Sequence, residues 1–146
     1  MSVLIRPMVA SDALRLKRQP SQRVQIGLVR DMSVEDARDL IDGGEAWSAE
    51  RDGDVIACMG LRETFPGKQG VAWAVLAQGV GAAHLAITRH ARRRIAESPL
   101  VRIEALTRID VEAECVWARL VGLTPSAILR KFGALSEDHM LFERIA

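Results

Sequence analysis

The sequence predicts an α/β chain of the α+β type, built on a mixed, mostly antiparallel twisted sheet of about seven strands flanked by about four helices. Three stretches carry that reading. Val71–Ala77 is apolar on both faces, with Val71, Trp73, Val75 and Ala77 on one side and Ala72, Ala74 and Leu76 on the other, as a central strand requires. Gln78-Gly79-Val80-Gly81 then turns the chain into a long helix that starts at the second glycine and runs to Glu97. Arg51-Asp52-Gly53-Asp54 between two apolar runs, and a second hairpin at the end of the sequence, demand antiparallel neighbours.

The elements follow in order. Val3, Leu4 and Ile5 form a first strand stopped by Pro7, and Ser11-Asp12 caps a helix through about residue 18. Arg18 to Arg30 is polar and irregular, with Pro20 and Gly27, and reads as a loop or a weak helix. Ser33 caps a clearer helix, with Asp36 as the distal partner of a capping box. Ala37, Leu40 and Ile41 are its buried stripe and Gly43-Gly44 its stop. Ala46–Glu50 and Val55–Glu63 are the hairpin strands, and Thr64–Gly70 is a loop into the central strand. The long helix buries Val80, Ala83, Ile87, Ala91 and Ile95, with Arg89, Arg92 and Arg93 opposite. Ser98-Pro99 breaks it, Val101–Thr107 is a strand, and Asp110 caps a helix whose stripe is Ala113, Val116, Trp117, Leu120 and Val121. Gly122 and Pro125 close that helix, and Ile128–Phe132 with Asp138–Ile145 form the last hairpin. Without linker, repeat or low-complexity stretch, residues 1–146 are expected to form a single domain.

With 49% hydrophobic and 27% charged residues, the chain has the composition of an ordinary globular protein, and no apolar run reaches the ~20 residues of a membrane helix. The start, MSVLIRPM, reads as a strand and not a leader, so a cytoplasmic protein is expected. A net charge of +1 gives no general pull on nucleic acid, and the Arg89–Arg94 cluster lacks interleaved aromatics. Cys58 and Cys115 lie far apart and read as two reduced, buried thiols; no His, Cys, Asp or Glu spacing suggests a metal. Trp47, Trp73 and Trp117 read as core, with Trp73 also a candidate for lining a cofactor slot.

A Gly-x-Gly turn opening a helix leaves backbone N–H groups unpaired at the positive end of the helix dipole, which suits a phosphate; a plain strand-to-helix turn is the other reading. Glu104 and Glu63 are candidate bases for an amine, against the simpler reading of Glu104 as half of an ion pair. His84 lies in the buried stripe beside the turn, as a candidate acid, base or cofactor contact, or as a packed histidine.

This order of elements resembles the GNAT acetyltransferase superfamily, and Gln78-Gly79-Val80-Gly81-Ala82-Ala83 is similar to the core of that family's pyrophosphate loop. The resemblance implies a GNAT-like sheet, acetyl-CoA as co-substrate and an amine acceptor. It also implies a cofactor site on Val75, Leu76, Ala77, Gln78, Gly79, Val80, Gly81, Ala82 and Ala83, with the pantetheine arm between Val71–Ala77 and Val101–Thr107. Leu76 stands where the family places a basic residue. In the run Trp117 to Leu123, Ala118 stands where it places a general-acid tyrosine, and the chain has no tyrosine anywhere. The C-terminal part, with Arg102, Glu104, Ala105, Trp117–Leu123, Leu129–Gly133 and Asp138–Arg144, also resembles acetyltransferase-like proteins of phages and prophages, some of them internal virion proteins. That implies alternatives: a virion-associated assembly module contacting phage or host proteins through the Arg-rich helix or the Gln19–Arg30 loop, or an acyl-CoA sensor without turnover.

Overall fold

The structure is a computed structural model and describes residues 2–17 and 31–146. The expectations for Arg18–Arg30 lie outside the described residues.

Among the described residues, seven strands form one open mixed sheet in the order β1-β2-β3-β4-β5-β7-β6, so β4 is central. The elements are β1 (Val3–Pro7), α1 (Asp12–Arg15), α2 (Val34–Asp42), β2 (Ala46–Arg51), β3 (Asp54–Phe65), β4 (Gln69–Leu76), α3 (Ala83–Glu97), β5 (Arg102–Arg108), α4 (Glu112–Leu120), β6 (Thr124–Phe132) and β7 (Glu137–Ile145). The β4–β5 pair is parallel, with Gln69, Gly70 and Val71 opposite Arg102, Ile103 and Glu104. The β1–β2, β2–β3, β5–β7 and β6–β7 pairs are antiparallel. No helix among the described residues is long and apolar enough to cross a membrane.

Residue contacts divide the chain into two compact units: Met1–Arg62 with Trp73–Ile87, and Glu63–Ala72 with Thr88–Ala146. In the first, Met8, Met32, Ala37, Leu40, Val55, Cys58, Trp73 and Val75 form a core, edged by Ala13, Leu16 and Ile41. Ser33 caps α2 as expected: its hydroxyl accepts from Asp36 N at 3.1 Å while Asp36 Oδ2 accepts from Ser33 N at 2.9 Å. Asp52 and Gly53 both have positive φ, 53° and 84°, which is the two-residue turn that suits the right-handed twist of β2–β3. The register slips between Ala49 and Glu50, so Ile56 is an extra residue in β3.

Ser11 makes no side-chain cap for α1. Asp12 instead turns inward and is fully buried. Its carboxylate accepts from both Nη atoms of Arg6 (2.8 and 2.9 Å), from Val9 N (2.9 Å) and from Ser48 Oγ (2.7 Å). Burial acts to raise its pKa, but these bonds together outweigh it and hold the carboxyl at about 2. Cys58, fully buried beside Ser48, has its thiol pushed up by burial to about 11.

In the second unit Ile103 and Phe142 are fully buried, with Ile95, Leu100, Ala118, Val121 and Leu123 nearly so. Arg144 donates to the carbonyls of Ile95, Ser98 and Leu100 and so satisfies acceptors left over at the end of α3. Several boundaries differ from expectation. Thr64–Gly70 is not an open loop: β3 runs to Phe65, β4 starts at Gln69, and Lys68 N closes on Phe65 O at 2.9 Å. Pro66 and Gly67 are compatible with a tight hairpin turn, and Gly67 has φ 72°. Strand β6 begins at Thr124 rather than Ile128, and its register slips between Pro125 and Ala127 and between Leu129 and Phe132.

The expected buried stripe of α4 is also corrected. Val116 is 47% and Leu120 50% exposed, Ala113 is exposed and Trp117 half-buried; of the expected stripe Val121 is buried, and Ala118, outside it, faces inward as well. The first turn explains it. Glu114 accepts from Arg108 Nη2 at 2.7 Å and from Arg108 N at 3.1 Å, and Cys115 Sγ lies 3.2 Å from Thr107 Oγ1. Those anchors hold the 114/115/118/121 side of the helix against β5, and Trp117 reaches sideways to donate its indole N–H to Thr88 Oγ1 at 2.8 Å. Cys115 is consequently half-buried rather than buried. The Asp110 cap is likewise replaced: Val111 occupies the cap position without a side-chain bond.

Candidate functional site

The site is the turn that ends β4 in the first unit. The strand delivers Val75, Leu76 and Ala77 with their side chains buried (2%, 8% and 6% exposed), so these residues can offer a ligand only their backbone. Ala77 N donates to Ile56 O at 2.8 Å, the carbonyl of the bulge residue, and Gln78 N donates to Lys17 O at 3.1 Å. Gly79 and Gly81 then adopt φ of 70° and 55°, while Val80 and Ala82 stay at negative φ. Such alternation curls successive amides into a concave nest that suits an anion. A side chain at either glycine would be strained by the backbone angle itself, since a Cβ would find open space at Gly79 and nothing nearer than 3.8 Å at Gly81.

Val80 and Ala83 pin the turn by burying their side chains, at 3% and 2% exposed, while Gln78, Gly79, Gly81 and Ala82 stay exposed. The amides of Ala83, His84 and Leu85 are used by the carbonyls of Val80, Gly81 and Ala82. Among the described residues, no acceptor meets the amides of Gly79, Val80, Gly81 and Ala82. Helix α3 starts at Ala83 rather than at Gly81, because a residue at φ 55° cannot continue a right-handed helix. The four amides that no described residue accepts thus precede the helix and lie at its positive end.

Sequence reasoning missed one participant. Arg51, the last residue of β2, donates from Nη1 to Val80 O at 2.7 Å and from Nη2 to Gly79 O at 2.9 Å. No local spacing signals it, because the contact joins residues 28 positions apart in the chain.

The nine residues Val75–Ala83 form one continuous segment and bring His84 with them, in the first turn of α3. His84 is half-buried, and burial pushes its imidazole pKa down, toward the neutral ring. Glu63 and Glu104 belong to the second unit. Glu63 Oε1 accepts from Gly67 N at 2.7 Å and braces the β3–β4 turn. Glu104 accepts from Gln69 Nε2 at 2.7 Å and from Arg102 Nη2 at 3.0 Å; Arg102 also binds Glu143. Ala118, in the place of the expected tyrosine, is 5% exposed. Among the described residues, no three His, Cys, Asp or Glu side chains gather as a metal site.

No protein-family model matches the sequence, and no curated protein matches it. Solved structures do. A spermidine N-acetyltransferase from Vibrio cholerae, in complex with CoA and spermine, aligns with a TM-score of 0.73 and 13% identity over 98% of this chain and 95% of its own. A GNAT-family acetyltransferase from Bacillus anthracis aligns at 0.69 and 14% identity over 99% and 95%. An IAA acetyltransferase from Bacillus cereus aligns at 0.68 and 17% identity over 99% and 100%. Identities this low speak for architecture alone: the chain has the fold of the GNAT-family acetyltransferases across nearly all of its length.

Proposed function

We propose that the protein binds acetyl-CoA and transfers its acetyl group to an amine. One observation carries the reading: a nest of four amides that no described residue accepts, at the end of the central strand and the start of α3, in a fold shared with acetyltransferases. The pyrophosphate would accept from the amides of Gly79, Val80, Gly81 and Ala82, and the backbone of Val75–Ala77 would flank the arm of the cofactor. The spermidine acetyltransferase holds CoA and a polyamine, which supports an amine as the acceptor class.

In direct transfer the amine nitrogen attacks the thioester carbonyl, the C–N bond forms and the C–S bond breaks. The amine proton passes to a base, for which Glu104 or Glu63 is the candidate, and the thiolate takes a proton from water or from His84. A neutral His84 would first have to be protonated, so water is the better donor near neutral pH.

A second reading is favoured by the absence of tyrosine from the whole chain: the fold is kept without turnover, as an acyl-CoA sensor or as an assembly module of phage or prophage origin. Calorimetry with acetyl-CoA, on the wild type and on Gly81→Glu, tests the site. Binding that the added carboxylate abolishes is expected; binding that it leaves untouched would place the cofactor elsewhere. Thiol release with a panel of polyamines and amino-terminal peptides then separates enzyme from sensor.

A further inference from the structure

Arg51 is placed by three local features of the β2–β3 hairpin. The bulge at Ile56 slips the register just before Arg51, and a bulge re-aims the side chains beside it. The same bulge leaves Ile56 O to accept Ala77 N, so the hairpin holds the end of β4 at that point. Asp52 and Gly53 then reverse the chain at once, with both φ positive, and Arg51 is the residue on which β2 ends.

The planar guanidinium meets two successive carbonyls, Gly79 O and Val80 O, with one nitrogen each. Those oxygens belong to the peptide units whose nitrogens are Val80 N and Gly81 N. The chain has no cis peptide among its described residues, and a trans peptide holds N–H opposite C=O. Fixing both oxygens therefore fixes both N–H groups on the far side, where among the described residues no acceptor meets them. The charge also polarises the two units and strengthens their donors.

We infer that Arg51 is the positioning residue of an anion site: it sets the Val80 and Gly81 amides for a pyrophosphate and supplies, from a distant strand, the cationic charge that the turn itself lacks. The inference rests on reading the turn as the phosphate-holding part of a CoA site. It differs from a plain brace of hairpin against turn, which would affect stability and leave anion affinity alone.

The test is calorimetry on the wild type, Arg51→Ala, Arg51→Gln and Arg51→Lys, with acetyl-CoA and inorganic pyrophosphate as probes, and urea unfolding run beside it. Losing a charge-assisted clamp on the carbonyls of two peptide units is expected to weaken both ligands by about 10- to 100-fold in Arg51→Ala. Arg51→Lys, which keeps the charge without the fork, should recover part of the loss, and Arg51→Gln little of it. Should Arg51→Ala fail to fold, the comparison of Arg51→Gln with Arg51→Lys decides. Affinity within about twofold of wild type in whichever neutral variant folds would overturn the inference. Wild-type binding of pyrophosphate without acetyl-CoA would remove the CoA reading and leave Arg51 to be judged on pyrophosphate. Binding of neither would overturn both.

Discussion

Gly60→Ala is expected to destabilise the protein severely, for want of space and not for backbone angle. A methyl at Gly60 would lie 2.3 Å from Glu45 O, 3.0 Å from Trp73 Cζ2 and 3.1 Å from Ala46 Cα. Non-bonded carbon contacts are comfortable at about 3.5 Å or more, so β2 and β3 would have to open by about 1 Å at this point. Glu45 O is not free to withdraw, since it accepts Leu61 N at 2.9 Å. Trp73, 9% exposed, is packed into the core of the first unit. Overpacking of this kind costs about 1–3 kcal/mol and a weakened buried hydrogen bond about 1 kcal/mol more, giving roughly 2–4 kcal/mol. For a chain of this size that lowers Tm by roughly 10 °C. Differential scanning calorimetry with urea unfolding on wild type and variant measures it. A Tm within about 2 °C of wild type, with an unchanged urea midpoint, would refute the close approach on which the estimate rests.

Gly81→Ala should behave differently: its φ of 55° is unfavourable for alanine but the nearest atom is 3.8 Å away, so urea unfolding should register only about 1–2 kcal/mol. Asp12, with a folded pKa of about 2 against an ordinary value of 3.8, adds stability that is complete above its unfolded pKa and is lost as pH falls toward 2. Asp12→Asn should flatten that part of the acid-unfolding curve, by about 1–2 kcal/mol once screening around Arg6 is allowed for. His84 carries the opposite charge and a lowered pKa, so stability should also decline as pH falls below the unfolded value of 6.5, and His84→Gln should remove that slope. If Glu104 is the base, Glu104→Gln should cut thiol release by about 100-fold or more while changing the urea midpoint little, since glutamine keeps an acceptor for Gln69 or Arg102. An unchanged rate would assign the proton to another group.

Where local chemistry decides an element, the sequence showed it. Ser33 with Asp36, Asp52-Gly53, and the two-faced run into Gly79-Val80-Gly81 each carry their own signal, and each forms what its residues dictate. The order of strands and helices followed from these. Other features depend on contacts that no window contains. Helix α4 has apolar residues on two sides, Ala113/Val116/Trp117/Leu120 and Ala118/Val121, and only the anchoring of Glu114 and Cys115 to β5 selects between them. Asp12 reads as part of a cap because the contacts that turn it inward, Arg6 on β1 and Ser48 on β2, form no helix-cap pattern. The candidate site divides in the same way: the glycines and their open amides are legible in the chain, whereas the arginine behind them comes from another hairpin.

Among the described residues the sheet ends at β6, where one side of the strand has no neighbouring strand. Such a border is an invitation to stack one molecule on the next, and here it is badly suited to being copied. Pro125 has no N–H to give, two slips of register break the repeat, and Lys131 sits at φ 51° beside Arg130. A second strand laid along it would lose alignment within a few residues and would meet charge where it needs a flat surface. The exposed Ile128 and Phe132 are therefore carried on an edge that resists growing into fibres, so the protein should stay dispersed at concentrations where a straight edge of the same composition would not.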